Sequence, residues 1–355
     1  MSKRIDEKSL EIKVPKFIKE NELIENEDKL ILGVSGGPDS LCMLDLLYKI
    51  KQKKELNFEI IVAHVNHMIR EEAESDENFV KEFCRKRNIE FISKKIDIKN
   101  VANTEKIGLE EAGRKERYKF FNEILAKKMF NKIAIAHNKN DVAETILMNL
   151  FRGTGITGLK GIEAKTEKYI RPLLNCERSE IEKYCKENNL TPRIDKTNFE
   201  NTYTRNKIRN IVIPYIQKEF NPNIIETMYR LSNLVKEEET YIKKEVQKKY
   251  TEILISEDIE EKKSKQNSKE EKNNEIKKQI ILDLKKFNLE EKVIKSELII
   301  YTITRLTGSN KGIEKIHIED IIKLCQRNIG NKFLTPNKHL KIFITKGQIY
   351  FQTQN

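Results

Sequence analysis

Residues 32–40, LGVSGGPDS, end an apolar run with two adjacent glycines, a proline, and an acid between two serines. A loop that leaves a buried strand and opens a helix turns backbone N–H groups toward the positive end of the helix dipole, a setting that suits an anion. Gly36 and Gly37 can take positive φ and let a phosphate approach the backbone, Pro38 fits a first helical turn, and Ser35 and Ser40 add hydroxyls. Asp39 is the odd member, because a carboxylate beside a phosphate is repulsive unless a cation lies between them. The pattern predicts a triphosphate on residues 35–40, with Asp39 holding a bridging Mg²⁺. The plain alternative is a strand-to-helix turn capped by Asp39. A Walker loop is excluded, since no G-K-[ST] follows, and GTGITGLKG (153–161) misses it with Leu159 interposed.

Other clusters carry chemistry at helical or loop spacing. Arg114, Arg117 and Phe121 follow a three-then-four spacing and share one helix face, where guanidinium groups could pair with phosphate or a flipped base beside Tyr118 or Phe121. A solvated face is the structural alternative. Asp141, Glu144 and Thr145 share a face at the start of another helix; dipole stabilisation explains one acid, and two acids near His137 suggest more. His64 and His67 stand three apart on a strand end without a cysteine or carboxylate cluster, weak grounds for zinc. Gly153 to Gly161 hold four glycines in nine residues, a tight turn or a backbone that borders a ligand. Arg205, Lys207 and Arg209 could follow nucleic-acid phosphates or pyrophosphate, or line a solvated helix face.

The elements that must position these residues are legible as alternating patterns. Residues 29–35, 59–67, 90–98 and 132–137 read as strands, and 39–50, 74–88, 109–130 and 141–152 as helices. Strand then helix, repeated, predicts an α/β fold: a parallel sheet with helices on both faces, its ligand beyond the carboxyl ends of the strands. Ser35, His64 to His67 and His137 fall at those ends. Domain boundaries are expected at 1–215 and 216–355, the second a smaller, mainly helical or α+β domain. Residues 214–250 read as helical, and 261–279, whose only aliphatic residue is Ile276, as part of a mobile charged loop at about 258–279. Beyond it a helix is expected around 319–328 and a hairpin over 340–352.

Composition narrows the setting. The chain has 355 residues, 38% hydrophobic, with Lys+Arg 68 against Asp+Glu 56, a formal net charge of +12. That balance favours a polyanionic partner such as nucleic acid. Cys42, Cys84, Cys176, Cys185 and Cys325 form no CxxC pair and read as reduced core thiols. No apolar stretch approaches the roughly 20 residues of a membrane span, and the first residues lack an apolar signal core, so a soluble cytoplasmic protein is expected.

Six further segments accompany SGGPDS: HVNHMIR (64–70), EEAGRKERYKFF (110–121), AHNKNDVAET (136–145), FRGTGITGLKGI (151–162), RPLL (171–174) and DKTNFENTYTRNKIRN (195–210). The loop resembles that of the PP-loop ATP pyrophosphatases, and the set, in this order and spacing, is similar to the tRNA(Ile)-lysidine synthetases. The resemblance is strong over about residues 28–222. It implies ATP and Mg²⁺ on Ser35, Gly36, Gly37, Pro38, Asp39 and Ser40, with His64 and Gly153 near the nucleotide. It also implies Arg117 beside the target cytidine and the reacting phosphate, and free L-lysine on Asp141 and Glu144. Asn140 stands where many members carry an aspartate.

The expected reaction is ligation of lysine to the wobble cytidine of a CAU-anticodon tRNA(Ile) through an adenylated base. Contacts to that tRNA are expected from Arg114, Arg117, Arg205, Lys207 and Arg209, and catalysis from Asp39, Arg117, Asp141 and Glu144. The later region is similar to a tRNA-selecting domain, notably over 312–324. Longer members carry a further C-terminal module, which this chain is expected to lack, and many members form homodimers. The rivals are a tRNA thiolase on the same loop, for which none of the cysteines shows a partner in the sequence, and a non-catalytic RNA-binding protein.

Overall fold

In the computed structural model the described residues are 9–68, 73–193, 203–258, 278–327 and 332–354. The expected loop thus falls largely outside the described residues, as do 195–202 of the sixth segment and its neighbours. The chain divides into two compact units, Met1–Val235 and Lys236–Asn355.

The first unit runs α1 (Leu10–Glu20), β1 (Lys29–Gly33), α2 (Pro38–Lys53), β2 (Glu59–Asn66), α3 (Ala73–Arg85), β3 (Glu90–Lys95), α4 (Ile98–Glu105), α5 (Leu109–Lys128), β4 (Lys132–Ala134), α6 (Lys139–Phe151), a 3₁₀ turn (Ile156–Lys160), β5 (Tyr169–Ile170), α7 (Arg178–Glu187), α8 (Thr204–Lys207), a π turn (Ile208–Val212) and α9 (Ile213–Glu219). The strands pair in parallel in the order β3-β2-β1-β4-β5. All four strands expected from the sequence are present, and β5 joins them at one edge.

Both faces of this sheet are covered, which is why its strands read as nearly continuous apolar runs. Along β1, Leu30 and Leu32 enter a core with α1, α2 and α7, whereas Ile31 faces the opposite core with Phe120, Phe121 and Ile124 of α5. Gly33 closes β1 because space is absent there: a Cβ would stand 2.7 Å from Phe121 Cζ. Phe121 is therefore a core residue, not a ring free to stand beside a base. Strand order reverses between β1 and β4, so the crevice above that junction is where a doubly wound sheet takes its ligand.

The helix α10 (Ile224–Ile253) begins in the first unit and ends in the second. The second unit continues with β6 (Leu254–Asp258), β7 (Gln279–Asp283), α11 (Leu284–Leu289), α12 (Lys292–Thr307), α13 (Lys315–Arg327), β8 (Phe333–Asn337), β9 (Leu340–Thr345) and β10 (Gln348–Thr353). Its strands form an antiparallel sheet in the order β6-β7-β10-β9-β8. The expected hairpin is β9–β10, turned by Lys346 and Gly347 at φ 49° and 73°, the left-handed pair of a type I′ turn. Alternate residues Leu340, Ile342, Ile344, Ile349 and Phe351 pack with Leu298, Ile299 and Ile303 of α12 and Ile321 and Cys325 of α13.

Gly33→Ala is expected to destabilise the chain by about 1–3 kcal/mol through overpacking, read as a lower denaturant midpoint. Phe121→Leu in the same chain should recover much of the loss; no recovery would mean that the Phe121 ring is not what excludes a side chain at Gly33.

Candidate active site

The loop between β1 and α2 is held by one hydroxyl. Ser40 Oγ accepts from Ser35 N and Gly36 N, both at 3.2 Å, and donates to Gly37 O at 3.0 Å. Gly36 sits at φ 92°, and its carbonyl accepts from Arg193 N at 2.9 Å. Pro38 is the first residue of α2, and Gly37 precedes it without a side-chain cap. Ser40 is buried and serves the loop's own shape, while Ser35 is exposed at its mouth. The start of α2 is therefore preorganised and lacks a capping side chain, as an anion site requires.

Across the β1–β4 junction the chain supplies Asn138. Its Nδ2 donates to Asp39 Oδ1 at 3.0 Å, its Oδ1 accepts from Asp141 N at 3.1 Å, and its backbone N donates to Asp141 Oδ2 at 2.9 Å. The last two bonds form a capping box on α6; the first ties that cap to Asp39. Burial, with the Asp141 carboxylate nearby, pushes the Asp39 pKa up to about 6. A cation would relieve this repulsion. Among the described residues no cluster of three or more His, Cys, Asp or Glu side chains could hold a metal. The few oxygen donors here still suit Mg²⁺, which usually keeps waters and substrate phosphates among its ligands.

Asp141 and Glu144, one helical turn apart on α6, face Arg205 and Arg209. Arg205 donates to Glu144 Oε2 at 2.7 Å and Asp141 Oδ1 at 2.9 Å. Arg209 donates to Glu144 Oε1 at 2.6 Å and Oε2 at 2.9 Å, and to Asp141 Oδ1 at 3.3 Å. Glu144 is 1% exposed. Two carboxylates thus meet two guanidinium groups in a buried network whose members depend on one another, since an unpaired buried charge is costly. Arg205 and Arg209 turn inward, while Lys207 between them is exposed. Asn140 Oδ1 accepts from Arg178 N at 3.0 Å and so satisfies the first turn of α7.

A second group of cations lines the carboxyl ends of β4 and β5. Arg171 Nε donates to His137 Nδ1 at 3.0 Å and its Nη1 to Glu163 O at 2.7 Å. Burial and the nearby Arg171, Arg205, Arg114 and Arg117 hold the His137 pKa well below its usual value, so the ring is neutral and keeps its proton on Nε2. Arg114 lies over the Tyr118 ring at 5.1 Å, and Tyr118 meets the ring of Tyr169 at 5.0 Å. Arg117 is exposed and reaches His67 Nε2 at 3.4 Å. On β2, His64 Nδ1 donates to Val34 O at 2.8 Å, and burial holds its pKa down.

Sequence reasoning singled out neither Asn138 nor Arg171 as site residues. The pattern Asn138-x-x-Asp141 was readable as a capping box; the inward path of Arg171 had no local signal. Gly153 is not brought to the loop. It follows α6 at φ 78°, about 20 Å along the helix from Asn138 at 1.5 Å per residue. All five cysteines are free and buried. Cys42 and Cys185 nevertheless meet, a pairing the sequence did not reveal; their mutual hydrogen bond and burial push the Cys42 pKa up. Cys185 Sγ also lies 3.7 Å from Pro38 O.

Residues 6–216 match the PP-loop domain. The chain is 42% identical to the tRNA(Ile)-lysidine synthase of Clostridium acetobutylicum over 334 residues, 94% of this chain and 68% of that protein. It is also 42% identical to that of Clostridioides difficile over 339 residues, 95% of this chain and 69% of that protein. The chain belongs to the tRNA(Ile)-lysidine synthase family. It spans about two thirds of the length of these curated relatives, 66% for the one from Clostridium tetani. Among solved structures, the U34-tRNA thiolase NcsA from Methanococcus maripaludis with its [4Fe-4S] cluster matches with TM-score 0.53 and 20% identity. That match covers 64% of this chain and 79% of that one, and it shows the shared fold.

Family membership accounts for the nucleotide loop; the raised Asp39 pKa is a property of this chain's own packing. With the folded pKa about 6 against an ordinary 3.8, the ionised carboxylate opposes folding above pH 6. The opposition fades as pH falls toward 3.8. Asp39→Asn keeps the acceptor for Asn138 and is expected to raise Tm by roughly a few degrees at pH 7.5, with the gain vanishing near pH 4. A gain independent of pH would reject this origin.

Proposed function

We propose that this chain ligates free L-lysine to the wobble cytidine of the CAU anticodon of tRNA(Ile), in the cytoplasm. The base carbonyl attacks the α-phosphorus of ATP and pyrophosphate leaves; the lysine side-chain amine then attacks the adenylated base and AMP leaves. A carbon–nitrogen bond forms, which makes the enzyme a ligase, and pairing of the modified base changes from G to A. One observation carries this proposal above the others. In a chain of this family, Asn138 joins the phosphate loop to the helix that bears Asp141 and Glu144.

The roles follow from charge and position. Residues 35–40 bind the phosphates of ATP at the start of α2. Asp39 would hold Mg²⁺, which would supply positive charge for the triphosphate. Arg117 and Arg114 meet the anticodon loop and stabilise charge that develops at phosphorus. Neutral His137, its Nδ1 held by Arg171, carries its proton on Nε2 and can donate from there. Lysine enters as an ammonium; with a reference pKa of about 10.4, roughly one amine in 2,500 is neutral at pH 7, a penalty of about 4.6 kcal/mol. Carboxylates bind the ammonium and accept its proton as the new bond forms, without lowering that pKa.

Asp141 and Glu144 already hold Arg205 and Arg209. A lysine ammonium therefore reaches them by displacing a guanidinium, one cation exchanged for another, so the pocket's charge is conserved. Sulfur transfer on the same loop is not favoured, because Cys42 and Cys185, the thiols nearest it, are buried.

Labelled lysine is expected to enter a CAU-anticodon tRNA(Ile) in the presence of ATP and Mg²⁺, and not an elongator methionine tRNA. AMP release on adding tRNA without lysine entry would reject lysine as the nucleophile. Arg117→Ala should lower kcat about 10²–10³-fold with little change in Tm, because the side chain is exposed. A normal kcat would remove Arg117 from the reacting centre.

A further inference from the structure

The loop after β1 needs more positive charge than it owns. A Walker loop brings its own lysine to the phosphates, whereas SGGPDS (35–40) contains no cationic side chain and includes the carboxylate of Asp39. Cations elsewhere around the crevice are engaged: Arg205 and Arg209 by Asp141 and Glu144, Arg171 by His137 and the Glu163 carbonyl, and Arg178 by Glu182 at 3.1 Å.

Arg193, in the segment after α7, touches the loop directly. Its backbone N donates to Gly36 O at 2.9 Å, and its carbonyl oxygen lies against Gly37, where a Cβ would stand 3.8 Å from it. The side chain runs from there to the start of α3. Its guanidinium lies over the Phe79 ring at 5.2 Å, and the same ring borders Gly36, where a Cβ would stand 4.0 Å from Phe79 Cδ1. Phe79 is thus a shared neighbour that keeps the cation at the flank of the loop. This is the side beyond the carboxyl ends of β1 and β2, where a doubly wound sheet takes its ligand.

The contacts that hold the guanidinium are long. Nη2 donates to Ser75 Oγ at 3.4 Å, Nε stands 3.9 Å from Asp76 Oδ1, and the side chain is 50% exposed. Charge-assisted bonds to a phosphate oxygen run at about 2.7–2.9 Å and are the stronger kind. A triphosphate on the loop is therefore a better partner than Ser75 and Asp76, and the backbone bond to Gly36 keeps the side chain within its own length of a group seated there.

We propose that Arg193 is a phosphate-contacting residue of the nucleotide site: its guanidinium leaves Ser75 and Asp76 and donates to the triphosphate of ATP bound at residues 35–40. ATP as the ligand comes from the proposed function; the cation at the loop comes from the contacts of Arg193 alone. Arg193 then supplies from outside the loop the positive charge that the loop's own sequence omits.

The test is equilibrium binding to the full chain, without tRNA or lysine, of three probes: ATP with Mg²⁺, pyrophosphate with Mg²⁺, and adenosine. Wild type is compared with Arg193→Gln, which keeps the backbone bond to Gly36, and with Arg193→Lys, which keeps the charge; Tm is read for all three proteins. Arg193→Gln is expected to weaken ATP and pyrophosphate by about 10–100-fold and to leave adenosine and Tm unchanged, with Arg193→Lys recovering part of the loss. Equal losses for ATP and adenosine, accompanied by a lower Tm, would make Arg193 a prop of the loop and overturn the phosphate contact. Unchanged ATP and pyrophosphate affinities in Arg193→Gln would also overturn it, while leaving the ATP site and the proposed function standing. A wild type that binds neither ATP nor pyrophosphate would overturn the nucleotide site itself, and with it both Arg193 and the proposed function.

Discussion

A hydrogen bond of 3.0 Å from Asn138 Nδ2 to Asp39 Oδ1 joins the loop after β1 to the helix after β4. Both ends are constrained by their own elements. Asp39 lies in the first turn of α2, and Asn138 is the N-cap of α6, so neither side chain can drift without disturbing a helix start. The bond crosses the place where strand order reverses, and the positive ends of α2 and α6 meet there. The glycine loop and the helix bearing Asp141 and Glu144 become neighbours for this reason, although the bonded residues lie 99 positions apart.

Charge is arranged around that bond so that ionised groups of both signs remain in a partly dry space. Asp141 and Glu144 are neutralised by Arg205 and Arg209, while Asp39 has neighbours that partly oppose it and an Asn138 amide that partly supports it. The result is one carboxylate left short of cation beside a loop shaped for anions. His137 stays neutral because it is buried and four arginines lie near it, and Arg171 fixes its tautomer. A neutral imidazole among cations can present an N–H to a negative group without adding a further full charge.

Much of the parallel sheet was legible because both-face burial leaves continuous apolar runs, and turn chemistry punctuates them. Residues 29–35 and the glycines after them could hardly read as anything else. The two-residue β5 was invisible, since Tyr169–Ile170 lacks the length for a periodic signal. In the second unit the Lys346–Gly347 turn announced β9–β10, but β6 and β7 flank a charged segment whose composition gives no pairing cue. At the site, residue types were legible and partners were not. Asp141 and Glu144 could be placed on one helix face from spacing; that Arg205 and Arg209 would face them, rather than solvent, depends on tertiary packing that local periodicity does not encode. The meeting of Cys42 with Cys185 was hidden for the same reason.

The arginine pair shows how local backbone serves that packing. Arg205 and Arg209, four residues apart, must each reach both Asp141 and Glu144, which are three apart on α6. Arg205 lies on α8, whereas Arg209 lies in the π turn Ile208–Val212. A π turn widens the helix and shifts the side chains that follow it, and such turns are frequent at functional sites. Ile208 and Ile213 anchor the segment in a small core with Ala143 and Leu147 of α6, so the apolar residues fix its position while the arginines close the carboxylates. The same arrangement separates two tasks along α6. Its apolar residues hold the arginine segment in place, and its acidic face pairs with Arg205 and Arg209.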